Sequence, residues 1–116
     1  MANVQIFGVK NSQATRAAER FFKERGVPFQ LVDLKRKAMA PAEIGRFVTR
    51  FGIAALLDAE GKAYVDAGLK YMKVGERELL AKIERDPALL RLPLVRADKM
   101  LSVGRHEESW KAMLGA

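Results

Sequence analysis

The 116-residue sequence contains no cysteine and only one histidine, His106. Without cysteine the chain cannot form a disulfide, a thiolate-ligated zinc site or an iron–sulfur cluster, and one histidine cannot supply a multi-histidine metal site. A metal site is therefore not expected. The longest apolar stretches fall far short of a membrane span, and no basic-then-apolar signal region precedes the first predicted strand. These absences predict a cytoplasmic protein without a membrane partner.

The composition is 49% hydrophobic and 30% charged, with a formal net charge of +7. This balance is typical of one globular domain with a packed core and excludes a disordered chain. Most basic residues have acidic neighbours, and no nucleic-acid-binding motif is recognisable, so direct nucleic-acid binding is not expected. The run Lys35-Arg36-Lys37 is the exception. It is either a solvated loop or a docking point for an acidic protein surface.

A β-α-β unit is predicted at the start of the chain. Val4–Val9 reads as an apolar strand, a turn at 10–12 leads into a helix, Gly26 is placed to end that helix, and Phe29–Asp33 alternates like a second strand. Such strands are expected to be parallel, which puts Ser12 at the carboxyl end of the first strand, where open α/β sheets bind ligands. The predicted inner face of the helix consists of Ala14, Ala17, Ala18, Phe21 and Phe22.

The middle of the chain reads as helical. Pro41 suits the first turn of a helix that Gly52 ends, residues 62–69 are helical or turn-like, and the apolar residues in 76–84 have helical spacing. We expect residues from about 40 to 90 to form a helical insertion that packs on the common core. The predicted organisation is thus a single domain over 1–116.

The end of the chain returns to strands. Residues 92–96 and 100–103 flank a turn at 97–99 and predict a hairpin, and 107–114 predicts a closing helix. That helix is expected to give the core Trp110, Met113 and Leu114. The predicted order, β-α-β, helices, then β-β-α, is an α/β arrangement with a small mixed sheet flanked by helices, which resembles a thioredoxin-like fold.

Several local strings, with their spacing, resemble the arsenate reductase (ArsC)/Spx family of thioredoxin-like proteins. The likeness covers nearly the whole chain and is more specific than any single motif. The strings are Phe7-Gly8-Val9-Lys10-Asn11, Gly61-Lys62-Ala63-Tyr64 followed by Gly68-Leu69, Asp86-Pro87 with Leu92-Pro93-Leu94-Val95, and Val103-Gly104-Arg105.

The resemblance places the family's active-site cysteine at Ser12. In the family's reductases that thiolate attacks arsenate, and glutathione with glutaredoxin, or a related thiol system, completes the reduction; Arg16, four residues on, matches the pattern. A serine hydroxyl is not ionised near neutral pH and cannot form a disulfide. The chain as written is therefore not expected to perform thiol-based reduction. Ser12 is explained either as a helix N-cap or as an engineered replacement of a native cysteine, with a serine nucleophile the least favoured reading.

Other positions bear on an oxyanion site. Arg105 matches a family arginine that contacts the oxyanion, whereas Ala54 or Ala55 stands where another is expected and Leu92 replaces the arginine before the proline. Losing two planar donors argues against tight arsenate binding. Pro93 matches the family proline, and we predict a cis Leu92–Pro93 bond.

The resemblance leaves two functions open. The favoured one is a ligand- or protein-binding module without thiol redox activity; the alternative is an arsenate-reductase-like, glutathione- and glutaredoxin-dependent oxidoreductase if residue 12 is natively cysteine. Ser12 marks the catalytic position, and the expected anion- or thiol-ligand contacts are Lys10, Asn11, Arg16, Pro93 and Arg105. No bound cofactor is expected, and glutathione is a candidate co-substrate. Candidate partners are glutathione, an oxyanion or, by analogy with Spx, RNA polymerase, and we expect a monomer.

The charged residues at the start of the last predicted helix are explained by helix stability and solvent exposure. Glu107 and Glu108 are expected to stabilise the helix dipole in the first turn, and His106 is expected to be solvated.

Overall fold

The computed structural model describes residues 3–115, and the chain divides into two compact units. Unit 1 combines Met1–Lys37 with Leu92–Ala116, and unit 2 is Ala38–Arg91. Unit 2 thus corresponds closely to the predicted helical insertion. That both units share one core and form a single domain stays a prediction.

Unit 1 contains a four-stranded mixed sheet in the order β2-β1-β3-β4. The β1 and β2 strands are parallel, as predicted, whereas β3 is antiparallel to both β1 and β4. Two helices complete the unit. Its elements are β1 (Val4–Gly8), α1 (Gln13–Glu24), β2 (Phe29–Asp33), β3 (Leu94–Ala97), β4 (Met100–Val103) and α6 (Glu107–Leu114).

Helix α1 begins and ends at residues whose chemistry suits those places. Ser12 is its N-cap, and Gly26 follows its last turn with a φ of 68°, a left-handed conformation that glycine adopts readily. The buried face differs slightly from the prediction. Ala14 is only half-buried, whereas Thr15, which was not predicted, is completely buried.

An aromatic cluster on α1 and α6 forms much of the unit 1 core. The Phe21 ring lies 5.1 Å from Phe22 and 5.5 Å from Trp110, between ring centroids. The predicted core contributions of Trp110 and Met113 are confirmed, but that of Leu114 is wrong because this side chain is 38% exposed. The three rings belong to a larger hydrophobic core, whose buried residues are Val4, Ile6, Ala18, Phe21, Phe22, Val95, Ala97, Trp110 and Met113.

The predicted hairpin is confirmed with different bounds. The Leu92–Pro93 peptide bond is cis, as predicted, and β3 begins only at Leu94. Proline has no N–H to give to a ladder, which suits a position just before a strand. Ala97 belongs to β3 and pairs with Met100, so the turn consists of Asp98 and Lys99.

Unit 2 is built mainly from helices. Its helices are α2 (Pro41–Phe51), α3 (Ile53–Leu56), α4 (Lys62–Asp66) and α5 (Glu76–Arg85), with short 3₁₀ turns at Leu69–Tyr71 and Pro87–Leu89. An isolated antiparallel bridge pairs Leu57, just after α3, with Leu90 near the end of the unit, and Arg91 N–H donates to Leu56 O at 2.7 Å. The predicted helix from Pro41 to Gly52 is confirmed.

Within residues 3–115, no helix is both long and apolar enough to cross a bilayer. The same residues contain no group of three or more His, Asp or Glu side chains placed to hold a metal ion.

Candidate functional site

The sheet register brings the predicted site segments of unit 1 to one edge of the sheet. Gly8, the last residue of β1, pairs with Asp33, the last residue of β2. Across the sheet, Phe7 pairs with Leu94, and Leu94 pairs in turn with Val103. The turns that follow β1, β2 and β4, and the residue that precedes β3, therefore meet at this edge. We call it the ligand edge.

A direct hydrogen bond joins two of the segments at the ligand edge. The backbone N–H of Gly104 donates to the carbonyl oxygen of Pro93 at 2.9 Å. Pro93 is less than 2% exposed, whereas Arg105, the next residue after Gly104, is exposed. This hydrogen bond holds the backbone just before Arg105 next to Pro93, which is itself buried beneath the ligand edge.

Ser12 lies at the start of α1 and caps it. Its Oγ accepts a hydrogen bond from the N–H of Thr15 at 3.1 Å, and its carbonyl accepts one from Arg16 N–H at 3.0 Å. Its own N–H donates to Val9 O at 3.1 Å, which closes the turn after β1. Ser12 therefore caps α1, as the N-cap interpretation predicts. The remaining N–H groups of the first turn and the helix dipole favour a negative charge here.

The other predicted contacts in this region are exposed polar side chains. Lys10 and Asn11 lie in the turn before α1, Arg16 lies in its first turn, and Arg105 follows β4. Within residues 3–115, none of the three basic side chains takes part in an ion pair. They are available to an anion arriving from solvent. The one side-chain hydrogen bond seen at Ser12 Oγ within residues 3–115 comes from Thr15 N–H.

Sequence reasoning missed Thr15 and its close contact with Gly8. The Thr15 side chain is completely buried, and its Oγ1 has no hydrogen-bond partner within residues 3–115. A Cβ on Gly8 would lie 2.6 Å from Thr15 Cγ2. The signal was a glycine at the end of a strand, which often marks close approach of another group. This contact fixes the start of α1 against the end of β1.

His106 also has a role that the sequence did not reveal. The ring is exposed, as expected, but its Nδ1 accepts from Ser109 N–H at 3.2 Å and lies 2.7 Å from Ser109 Oγ. His106 is thus the N-cap of α6. Glu107 and Glu108 lie in the first turn of that helix. Histidine is not among the residues preferred at N-caps, so the sequence carried no clear signal for this role.

One departure from the family pattern lies in unit 2, where Ala54 and Ala55, either of which stands near the expected arginine position, are exposed on α3. Arg91, also in unit 2, is exposed, and its backbone N–H donates a hydrogen bond to the carbonyl oxygen of Leu56. Leu92, which stands where an arginine is expected, is partly buried beside Pro93 in unit 1. The side chains of alanine and leucine have no hydrogen-bond donor, so they cannot replace an arginine that binds an oxyanion.

Comparison with known proteins gives relatives of two kinds. The chain is 26% identical over 113 residues to the global transcriptional regulator Spx 2 of Oceanobacillus iheyensis, covering 96% of this chain and 83% of that protein. It is 27% identical over 117 residues to an arsenate reductase of Neisseria meningitidis, covering 98% of this chain and all of that protein.

A solved structure matches along the whole length of the chain. The arsenate reductase from Vibrio cholerae superposes with a TM-score of 0.81 at 17% identity, covering 97% of this chain and 98% of that one. At this identity the match shows the fold, and with the mixed four-stranded sheet it confirms the predicted thioredoxin-like α/β class. The ArsC family model matches residues 7–113, and the chain therefore belongs to the ArsC family.

Proposed function

We propose that this ArsC-family chain is a non-catalytic binding module that uses the ligand edge of unit 1 to hold a thiol ligand, an oxyanion or a protein segment. One observation carries the proposal. The residue at the head of α1 is a serine whose Oγ accepts from Thr15 N–H. An alcohol at that place stays protonated near neutral pH and cannot exchange with a disulfide, so the helix dipole has no thiolate to stabilise.

The surrounding groups support anion binding at this edge. Lys10, Asn11 and Arg16 offer charged or polar donors at the α1 N-terminus, Arg105 offers another after β4, and all four are exposed. Glutathione is a suitable small ligand because its two carboxylates can use such donors and the helix N-terminus. The relatives named transcriptional regulators favour a second use of the same module, docking to a protein such as RNA polymerase.

A second candidate function is supported by the Neisseria relatives, which are named arsenate reductases. If the natural residue at position 12 were cysteine, the same helix N-terminus would lower its pKa and the chain would be a glutathione- and glutaredoxin-dependent oxidoreductase. The coding sequence of the gene separates these candidates directly.

An activity assay tests the absence of catalysis. The wild-type protein and Ser12→Cys are incubated with arsenate, glutathione and glutaredoxin, and arsenite is measured. We expect no turnover by the wild type above the protein-free rate. Formation of a mixed disulfide with glutathione, detected by mass spectrometry, is expected only for Ser12→Cys. Turnover by the wild type would overturn the proposal.

An NMR titration tests the binding role independently. Glutathione and arsenate are added separately to ¹⁵N-labelled wild-type protein. We expect shifts concentrated at Lys10, Ser12 and Arg105, and weaker binding by Arg105→Gln than by the control Lys99→Gln, which changes the same charge in the β3–β4 turn. Shifts scattered over the surface, or equal loss in both variants, would contradict a site at this edge.

A further inference from the structure

The basic run Lys35-Arg36-Lys37 lies at the ligand edge, directly after β2. Leu34 precedes the run, is only 5% exposed, and donates its N–H to Gly8 O at 2.9 Å. This hydrogen bond continues the pairing of β1 and β2 by one residue. The run therefore starts beside the turn that carries Lys10 and Ser12.

The run is held in a defined turn. Asp33 Oδ1 accepts from Lys35 N–H at 3.0 Å, and the Asp33 carbonyl accepts from Arg36 N–H at 3.0 Å and Lys37 N–H at 3.1 Å. An aspartate that bonds the backbone two residues ahead is a common way of fixing a turn. The backbone beneath the three cations is thus fixed, while their side chains are exposed.

The charge at this edge is mainly positive. Within residues 3–115, none of the side chains of Lys35, Arg36 and Lys37 forms an ion pair, and the one carboxylate in this turn, Asp33, keeps its charge while it accepts a backbone N–H. Lys10 and Arg105, also exposed, add positive charge at the ends of β1 and β4. We call these five residues the cationic edge. Opposite charge on a partner would be complementary along its whole length.

The dimensions of the cationic edge suit an extended peptide. The strand order places Lys35–Lys37 at one end, Lys10 next, Pro93 after it and Arg105 at the other end. Neighbouring strands are about 4.8 Å apart, so four strand ends span roughly 14 Å, which is the length of about four residues of extended chain.

A peptide fits these residues better than a nucleic acid does. Single-stranded nucleic acids are usually held by aromatic side chains on which bases stack. Phe7, the aromatic residue nearest this edge on β1, is buried, and Leu114, the large apolar side chain of unit 1 that is exposed within residues 3–115, ends α6. The unit 1 residues of this edge therefore offer charge without an exposed aromatic ring for stacking.

We propose that the cationic edge docks an acidic, extended segment of a partner protein, laid across the four strand ends from Lys35–Lys37 to Arg105. This inference rests on the proposed binding function and names its partner class. The carboxylates of the segment pair with the exposed cations, and the backbone crosses above Pro93. The α1 N-terminus at Ser12 receives one of the carboxylates.

Fluorescence anisotropy of a labelled hexaglutamate peptide tests the proposal, with hexaglutamine as the uncharged probe. The edge variant is Lys35→Gln/Arg36→Gln/Lys37→Gln. The control variant, Lys23→Gln/Lys99→Gln/Lys111→Gln, removes the same charge from exposed residues of unit 1 outside the edge. We expect the edge variant to bind hexaglutamate about tenfold more weakly than wild type, the control to bind like wild type, and added salt to weaken binding.

Equal losses in the two variants would show attraction by net charge alone and would overturn the proposal, as would an absence of hexaglutamate binding at low ionic strength. Tighter binding of oligothymidylate than of hexaglutamate, lost in the edge variant, would also overturn it in favour of a nucleic acid. Circular dichroism shows whether each variant is folded. A charge-reversed variant, Lys35→Glu/Lys37→Glu, is expected to lose hexaglutamate and to gain binding to hexalysine.

The glutathione titration separates this inference from the function on which it rests. If hexaglutamate fails to bind while glutathione still shifts Ser12 and Arg105 and arsenate is not reduced, only the docking proposal fails. If the wild type reduces arsenate, the non-catalytic function fails whatever the peptide does.

Discussion

Gly8 and Thr15 are packed so closely that a Cβ on the glycine would lie 2.6 Å from Cγ2 and 3.0 Å from Cβ of the threonine. Because Thr15 is completely buried and its β-branched side chain is short, it cannot move aside by rotating a distant end. The contact ties the last residue of β1 to the first turn of α1, on either side of the turn that carries Ser12.

Gly8→Ala is expected to destabilise the protein by about 1–3 kcal/mol because the added methyl overpacks this contact. The measurement is urea unfolding followed by circular dichroism. Gly45→Ala is a matched control, since Gly45 lies within α2 with no atom within 4 Å of its added Cβ, and there alanine should stabilise the helix. In Gly8→Ala/Thr15→Ala the two losses should be less than additive. A Gly8→Ala protein as stable as Gly45→Ala would contradict the packing argument.

Ser12→Ala is expected to lower the free energy of unfolding by about 0.5–2 kcal/mol because it removes the acceptor for Thr15 N–H. Ser12→Asp keeps an acceptor and places a negative charge at the α1 N-terminus, so it should retain most of the stability. Asn11→Ala serves as the control because no side-chain hydrogen bond of Asn11 is seen within residues 3–115. Equal unfolding midpoints for Ser12→Ala and Asn11→Ala would show that the cap contributes nothing.

The cap of α6 is expected to stabilise the protein. His106→Ala should lower the free energy of unfolding by about 0.5–2 kcal/mol, because it removes the Nδ1 acceptor of Ser109 N–H at the N-terminus of α6. His106→Asn keeps a side-chain acceptor at the same position and should retain most of the stability. Urea unfolding of the three proteins at one pH measures the difference. Equal unfolding midpoints for His106→Ala and His106→Asn would rule out the histidine cap.

Asp66→Asn is expected to lower the pKa of Lys62. A hydrogen bond and the charge of Asp66, 2.7 Å away, hold that pKa above its ordinary value of 10.5 in the folded protein. A raised pKa means that the pair stabilises the fold below pH 10.5 and that this contribution disappears as pH rises through the raised value. Because both side chains are largely exposed, the effect on unfolding should be small. NMR titration of the Lys62 side chain in both proteins measures the shift; an unchanged midpoint would exclude the pair in solution.

The sequence predicted unit 1 well because its signals are local. Three signals each act within a few residues: the alternation in Phe29–Asp33, the serine before α1 and the glycine after it. The strand and the two ends of the helix that they predicted are confirmed. The predicted bounds of the strand at 92–96 were wrong, since β3 runs from Leu94 to Ala97 and is bounded by proline chemistry and by pairing across the hairpin. Leu114 was predicted to be buried from its helical spacing, but it is exposed, because at the end of a helix the spacing alone does not determine burial.

The candidate site was only partly predictable. Family resemblance placed Ser12, Pro93 and Arg105, and the register explains why residues so far apart in sequence meet at one edge. The contact between Gly8 and Thr15 could not be found in the same way, because it depends on the distance between a strand and a helix. The position of Lys35–Lys37 at that edge required the β1–β2 register as well.

Strand β1 has a neighbour on each side, and the two come from opposite ends of the chain: β2 follows closely, whereas β3 lies beyond the whole of unit 2. During translation β1 and β2 leave the ribosome together, but the other side of β1 has no partner until residues 94–97 are synthesised. Nascent chains that stop within unit 2 therefore expose an apolar strand with unpaired N–H and C=O groups, a template for pairing with another nascent chain. Completion of the carboxyl-terminal hairpin removes that hazard.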